Sequence, residues 1–236
     1  MKPFFVAILL IMLLVSCAST ETKDKQQQAT AHYQLGVSYL NDNNIEPAFV
    51  EFQKALELNP KDKDSLNALG IIYLQKLENY PKAIEHFKAA LKIDKSFSEA
   101  ANNLGNAYAK MGKYDDAITT YKSAIENPIY KNASLALYNL GMVYYRVEQY
   151  DEAINSFKEA LKRFSNFSLP YYGLSLCYNA EGRYGDAASA IAHAIKFDAL
   201  YQGDREKAIE EIKNKKLLAT GNELKDLSDY LDILRY

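Results

Sequence analysis

From residue 29 onward, small and large apolar positions return five times in the same relative order. Leu-Gly or Leu-Ser pairs stand at Leu35-Gly36, Leu69-Gly70, Leu104-Gly105, Leu140-Gly141 and Leu174-Ser175, and a Tyr follows each Leu by four residues, at Tyr39, Tyr73, Tyr108, Tyr144 and Tyr178. Each unit then carries an Ala (Ala48, Ala83, Ala117, Ala153, Ala187), a large apolar residue (Phe52, Phe87, Tyr121, Phe157, Ile191) and a second Ala three positions on (Ala55, Ala90, Ala124, Ala160, Ala194). The Leu positions are 34, 35, 36 and 34 residues apart. Leu and Tyr four apart share one face of a helix, and so do the Ala–large–Ala positions. Each unit therefore predicts two helices, with the Gly or Ser letting the second approach the first closely. An Ile or Tyr marks each interhelix turn: Ile45, Tyr80, Tyr114, Tyr150 and Tyr184. The units run over 29–62, 63–97, 98–133, 134–167 and 168–201. An extra residue falls in the second unit's turn near Lys76 to Asn79, and two more fall at Asn127-Pro128-Ile129-Tyr130-Lys131, between the third and fourth units.

The pattern fades after residue 201. Arg205 to Leu218 keeps a helical stripe (Ala208, Ile209, Ile212), Gly221 interrupts it, and Leu224, Leu227, Tyr230, Leu231 and Leu234 stripe a last helix. A terminal repeat with one wet face is expected to be atypical, so 202–236 reads as a degenerate sixth repeat that caps the stack.

The N-terminus has a different character. One Lys precedes an unbroken apolar run, Phe4 to Val15, which is short for a membrane span and has the form of a secretory signal. Its exit, Leu14-Val15-Ser16-Cys17-Ala18, resembles a bacterial lipobox. The resemblance implies that 1–16 is a lipoprotein signal peptide and that Cys17 carries the acyl chains as first mature residue. The residues themselves also leave open cleavage after Ala18 and an uncleaved anchor. Residues 17–28, CASTETKDKQQQ, are polar without an apolar period, and read as a tether from lipidated Cys17.

With 48% hydrophobic and 25% charged residues the chain has a globular composition, and a net charge of −2 offers no basic field for nucleic acid. Cys17 and Cys177 cannot build a disulfide framework or a zinc site, and Cys177 reads as a small buried hydrophobe. His32, His86 and His193 stand in three different units, and no phosphate loop, nucleophile elbow or HExxH motif occurs. Asp115-Asp116, Asp151-Glu152 and Asp186 open second helices, where carboxylates suit the positive helix end. No enzyme activity, metal or cofactor is expected.

The repeated residues resemble the tetratricopeptide repeat, a helix–turn–helix unit of 34 residues. The resemblance implies an all-α, right-handed solenoid of about six such units. It also implies that the stripe beside the core of each first helix lines a concave surface. That stripe reads Tyr33, Val37 and Leu40; Asn67, Ile71 and Leu74; Asn102, Asn106 and Ala109; Tyr138, Met142 and Tyr145; Tyr172, Leu176 and Asn179. Apolar and aromatic groups dominate it, and the amides can both donate to and accept from a peptide backbone. The stripe reads as a partner-binding groove, at least partly exposed, that competes with a reading in which it packs on the next repeat.

Lipobox, polar tether, repeats and the irregular turn before Tyr138-Asn139-Leu140-Gly141 together resemble the type IV pilus biogenesis and stability lipoproteins, the PilF/PilW-type pilotins. That resemblance implies a scaffold anchored to the outer membrane through Cys17 and facing the periplasm. Its partner would be a secretin subunit or segment, whose ring it helps to assemble without covalent chemistry. A repeat lipoprotein adaptor for peptidoglycan hydrolases or another envelope assembly complex is the alternative.

Overall fold

The computed structural model describes residues 23–236, and every regular element among them is an α-helix. Helix α1 covers 23–41 of the described residues. It is followed by α2 (Ile45–Leu58), α3 (Lys63–Gln75), α4 (Tyr80–Ile93), α5 (Ser98–Lys110), α6 (Tyr114–Glu126), α7 (Ala133–Arg146), α8 (Tyr150–Arg163), α9 (Ser168–Ala180), α10 (Tyr184–Phe197), α11 (Arg205–Lys216) and α12 (Gly221–Ile233). The chain divides into two compact units, up to Ala107 and from Tyr108, with the boundary inside α5.

Within the first unit α3 packs on α4 and on α2, and within the second α7 packs on α8 and α9 on α10. What brings each pair together is the recurrent Ala–large–Ala face of the second helix. Ala48, Ala55, Ala83, Ala90, Ala153, Ala160, Ala187 and Ala194 have no exposed surface, nor do Phe52, Phe87 and Phe157. The ring needs a gap to enter. A Cβ placed on Gly70 would lie 2.5 Å from the Phe87 ring, and one on Gly141 2.5 Å from that of Phe157. In α9 the Gly is replaced by Ser175 and the ring by Ile191, and both remain buried. The smaller knob leaves room for the hydroxymethyl group, whose Oγ donates to the Tyr172 carbonyl at 2.7 Å.

The turn between paired helices is equally regular. The carbonyl of the recurrent Tyr accepts the N–H five residues on, at 2.8 Å from Asn44 to Tyr39 and from Asn79 to Tyr73 (six residues on, in the longer turn), 2.9 Å from Lys113 to Tyr108, 2.9 Å from Gln149 to Tyr144 and 2.8 Å from Arg183 to Tyr178. Each turn contains one left-handed residue, which ends the first helix by the usual αL route. It is Gly112 or Gly182 in two turns, and Asn43, Glu78 or Glu148 in the others, where a side chain tolerates positive φ. The second pair's turn, 76–79, is one residue longer than 42–44, 147–149 and 181–183. The link 127–132 is two residues longer than 59–62, 94–97 and 164–167. Three of these links, and the one after α10, open with an Asx turn: Asn59, Asp94, Asn127 and Asp198 each accept, through Oδ1, the N–H two residues ahead.

Two expectations change. Residues 23–28, read as part of the tether, are helical and extend α1. Their Lys and Gln residues are good helix formers, and Gln28 donates to Asp24 at 3.0 Å one turn away. The first 22 residues, with the signal peptide and Cys17, lie outside the described residues. The second change concerns the tail. Helices α11 and α12 pack together, but α12 does more than close the end of the stack: it lies against α9 and sends side chains to α7.

Leu35 shows what the stacking does. It is 42% exposed, whereas Leu69, Leu140 and Leu174 at the equivalent positions are 5% exposed or less. Among the described residues no helix pair precedes α1 to cover it.

Candidate functional site

The concave stripe of the second unit is carried by α7 and α9. Tyr138, Met142 and Tyr145 recur at helical spacing on α7, and Tyr172 and Leu176 on α9. In a repeat these positions stand beside the intra-pair core, so an empty groove would leave them partly wet. Three of them are covered instead, while Tyr138 and Met142 keep the partial exposure expected. Tyr145 is 4% exposed, Tyr172 9% and Leu176 1%. The expectation that these three lie open is overturned, and for Tyr145 and Tyr172 the cover comes from α12.

Helix α12 presents Asp226, Leu227, Tyr230 and Ile233 on one face, at spacings of one, three and three residues. Arg146, the last residue of α7, grips Asp226 with both guanidinium arms, Nη1 donating to Oδ1 at 2.7 Å and Nη2 to Oδ2. Both side chains are largely withdrawn from solvent, at 17% and 12% exposure. Burial works against the charge on Arg146, and the bond to the Asp226 carboxylate more than offsets it, so its pKa is raised. The Tyr145 ring lies under the guanidinium at 5.2 Å, and its hydroxyl accepts from Lys225 Nζ at 3.1 Å. One turn further along α12, the Tyr230 ring meets that of Tyr172 at 5.2 Å. Tyr138, half-buried, sits close enough to feel the Asp226 charge, and burial pushes its hydroxyl up to about 12. The Tyr172 and Tyr230 hydroxyls are raised as well, chiefly by burial. All these phenols stay neutral near pH 7, which suits them to hydrogen bonding and ring contact.

The far end of α12 reaches α10. Ile233 and Leu234 line, with Ile191 and Ile195, a cavity of about 350 Å³. Arg205 of α11 donates to the Leu234 carbonyl, and the Tyr184 and Tyr236 rings are 5.0 Å apart.

In the first unit the stripe is also largely absorbed. Tyr33, Val37 and Leu40 are half-buried against the cluster of Ala48, Phe52, Ala68, Leu69 and Ile72, with the Tyr33 ring 5.8 Å from that of Phe52. Asn67, Leu74 and Asn102 are buried, against the expectation of an open surface, while Ile71 and Asn106 keep partial exposure. The Asn67 carbonyl is taken by Asn103 Nδ2 at 3.1 Å, an amide link between successive first helices that occupies a group read as a backbone holder. Neighbouring first helices are close enough for the stripe to pack along the row.

Cys177 is fully buried, and burial pushes its thiol up to about 12, so it behaves as a small apolar group. No cluster of three or more His, Cys, Asp or Glu suited to a metal occurs among the described residues. No helix among them is long and apolar enough to cross a membrane. Sequence reasoning passed over Arg146 and Asp226. They are 80 residues apart and fall in no repeated position, so only the path of α12 joins them.

Comparison with known proteins places this geometry in context. Profiles of the tetratricopeptide repeat match residues 29–62, 64–129, 96–166 and 138–199. The type IV pilus assembly protein PilF of Pseudomonas aeruginosa is 31% identical over 113 residues, which cover 48% of this chain and 44% of that protein. The chain spans less than half the length of the curated relatives it matches. Among solved structures, P. aeruginosa PilF superposes with a TM-score of 0.68 at 23% identity, over 90% of this chain and 93% of that one. PilW, described as a widely conserved type IV pilus biogenesis factor, superposes with a TM-score of 0.70 at 21% identity, over 86% and 90%. At such identities these two structures speak for the fold.

Proposed function

The chain belongs to the tetratricopeptide repeat family, and from that premise we propose that it is a lipid-anchored envelope scaffold for type IV pilus biogenesis. In this reading it is a pilotin. Acyl chains on Cys17 hold it to the outer membrane, the folded repeats stand in the periplasm, and the groove on α7 and α9 captures a segment of the pilus secretin. The observation that carries the reading is the similarity to PilF of P. aeruginosa over 113 residues at 31% identity. The lipobox at Leu14 to Cys17 adds the anchor, and two or three acyl chains would hold the body firmly, each buried methylene contributing about 0.8 kcal/mol. Work is done by binding, and the groove residues that would do it include tyrosines and an arginine, types enriched at interface hot spots.

The test is made in the bacterium that carries the gene. Deletion is expected to deplete assembled secretin multimers and surface pili, and the Cys17→Ser chain to lose lipid labelling and fail to restore them. Chemical crosslinking of the intact chain in membranes should yield the secretin as main partner. Unchanged secretin multimers in the deletion strain, with a cell-wall hydrolase as the main crosslinked partner, would overturn the pilotin reading in favour of a hydrolase adaptor.

A further inference from the structure

The groove on α7 and α9 already holds a helix, and the manner of holding shows what kind of helix it takes. Its floor carries Tyr145 and Tyr138 beside one guanidinium, that of Arg146, and Tyr172 on the neighbouring helix. Into it α12 places a carboxylate, Asp226, and four residues later an aromatic ring, Tyr230. The contact is specific more than it is strong. A buried ion pair fixes register and excludes misfits, while contributing little net stability over an apolar pair of the same size. The connection to the rest of the chain is loose. Leu217 and Leu218, which lead into α12, are 82% and 89% exposed and pack on nothing that would anchor the turn. Gly221, the first residue of α12, has a φ of +56°, and the Thr220 side chain makes no capping bond. So α12 enters from a loose turn, is held along its face, and is fastened at its far end by Arg205 and Tyr184. Were it to leave, Arg146 would return to water beside the groove tyrosines, and a docking helix that covered it again would have to bring a carboxylate to satisfy it.

We propose that the α7–α9 groove is a helix-binding site and that α12 is its intramolecular placeholder, displaced by a partner helix bearing an acidic residue and, four positions on, an aromatic one. The partner segment would also carry aliphatic residues at one and seven positions after the acid, as Leu227 and Ile233 do in register with Asp226 and Tyr230. The placeholder covers Tyr145 and Tyr172 until a partner arrives, so this surface is presented only to a helix that can replace both the carboxylate and the ring. The inference rests on the proposed function only in taking this groove as the site of capture; the recognition chemistry follows from α12 itself.

The experiment uses the full chain and a fluorescent peptide of residues 219–236, with no secretin, so its outcome is independent of which protein the groove serves. The wild-type chain should bind the peptide weakly, because α12 competes in cis. The Asp226→Arg chain, which repels its own α12 from Arg146, should bind the wild-type peptide at least tenfold more tightly. Arg146→Glu should abolish that binding, and a peptide carrying Asp226→Arg should restore it on the Arg146→Glu chain. In the wild-type chain the backbone amides of α12 should exchange with solvent at least tenfold faster than those of α9, a measurement that stands even where a variant folds poorly. Equal exchange in α12 and α9, or peptide binding that ignores Asp226 and Arg146, would overturn the proposal. A wild-type dimer that forms with concentration and disappears on Arg146→Glu would assign the groove to a second copy's α12 and overturn the choice of partner.

Discussion

Arg146 and Asp226 meet as a two-armed ion pair across 80 residues of chain, inside a groove that the repeat pattern reserves for something else. One residue ends α7, a repeat helix whose place is set by the Gly141–Phe157 contact. The other sits on α12, which obeys no repeat. The pair therefore reports whether the tail is docked. It joins the part of the molecule that stacking explains to the part that it does not.

Removing either partner of this pair strands the other in a largely dry site. Arg146→Met and Asp226→Leu should each lower stability by about 3–5 kcal/mol. The double replacement Arg146→Met with Asp226→Leu should cost much less than the two losses added, because it leaves no buried charge. Denaturant titrations of the four chains form the cycle. Strict additivity would mean that the two side chains do not touch in solution.

The close approach of paired helices makes a second outcome. A Cβ on Gly141 would stand 2.5 Å from Phe157 Cε1 and 2.8 Å from Cδ1. The ring is fully buried and has nowhere to retreat. Gly141→Ala should cost about 1–3 kcal/mol through overpacking, and adding Phe157→Leu should recover part of that loss, as the Ser175–Ile191 pair does naturally. Gly185→Ala, on α10, meets nothing within 4 Å and should instead stabilise by about 0.4–1 kcal/mol by restricting the unfolded chain. Melting temperatures of the three variants decide it.

The stacked repeats were legible because their contacts are local and periodic. Ala83, Phe87 and Ala90 lie on one helical face whatever the rest of the chain does, and Gly70 has a reason to be small only if that face docks on it. The extra residue at 76–79 and the two at 127–132 were visible as breaks in the period. The path of α12 was not. Its stripe of Leu227, Tyr230 and Leu234 marks an amphipathic helix, and an apolar stripe does not say which surface it will choose. What makes that choice is a charge, Asp226, that looks like any other on a wet face until Arg146 is brought to it. The groove tyrosines misled for the same reason: exposure is a property of what covers a residue, and the cover came from outside the repeat. The run Lys23 to Gln28 misled in the opposite sense, since lack of an apolar period excludes packing but not a helix.

Lys63 and Asp94 join the two ends of the second repeat, the start of α3 and the end of α4, at 2.5 Å. The hydrogen bond from Lys63, aided by Ser96, holds the Asp94 carboxyl down at about 2, against 3.8 for the free side chain. A lowered carboxylate pKa stabilises the fold above pH 4, and that gain is lost as pH falls from about 4 through 2. Both side chains keep about a third of their surface in water, so the gain should be only about 0.5–1 kcal/mol and should shrink in salt. Asp94→Asn isolates this pair, because an Asn can still accept from Ser96 as Asn59 and Asn127 do in the equivalent links. The wild-type advantage over Asp94→Asn should be steady from pH 7 to 5 and vanish toward pH 2. An advantage independent of pH would remove the ion pair as its source.

Tyr145 separates a structural role from a purely interfacial one. As an open groove residue it would tolerate truncation with no effect on folding. With 4% of its surface exposed, it lies between the Arg146 guanidinium at 5.2 Å and the Tyr150 ring at 6.0 Å, and its hydroxyl accepts from Lys225. Tyr145→Ala should therefore lower stability by about 3–5 kcal/mol, close to the loss for Tyr144→Ala on the neighbouring core face. Tyr145→Phe keeps the ring and gives up one hydrogen bond to a well-solvated lysine, at a cost of about 0.5–1.5 kcal/mol. The two substitutions differ in what they do to α12. Losing the ring removes the platform under Arg146 and should release the last helix, seen as rapid proteolysis within 217–236 while the repeats stay intact. Losing the hydroxyl should not. Urea titration and limited proteolysis of the three chains read both effects, and a Tyr145→Ala chain as stable and as resistant as the wild type would mean that α12 does not rest on this ring.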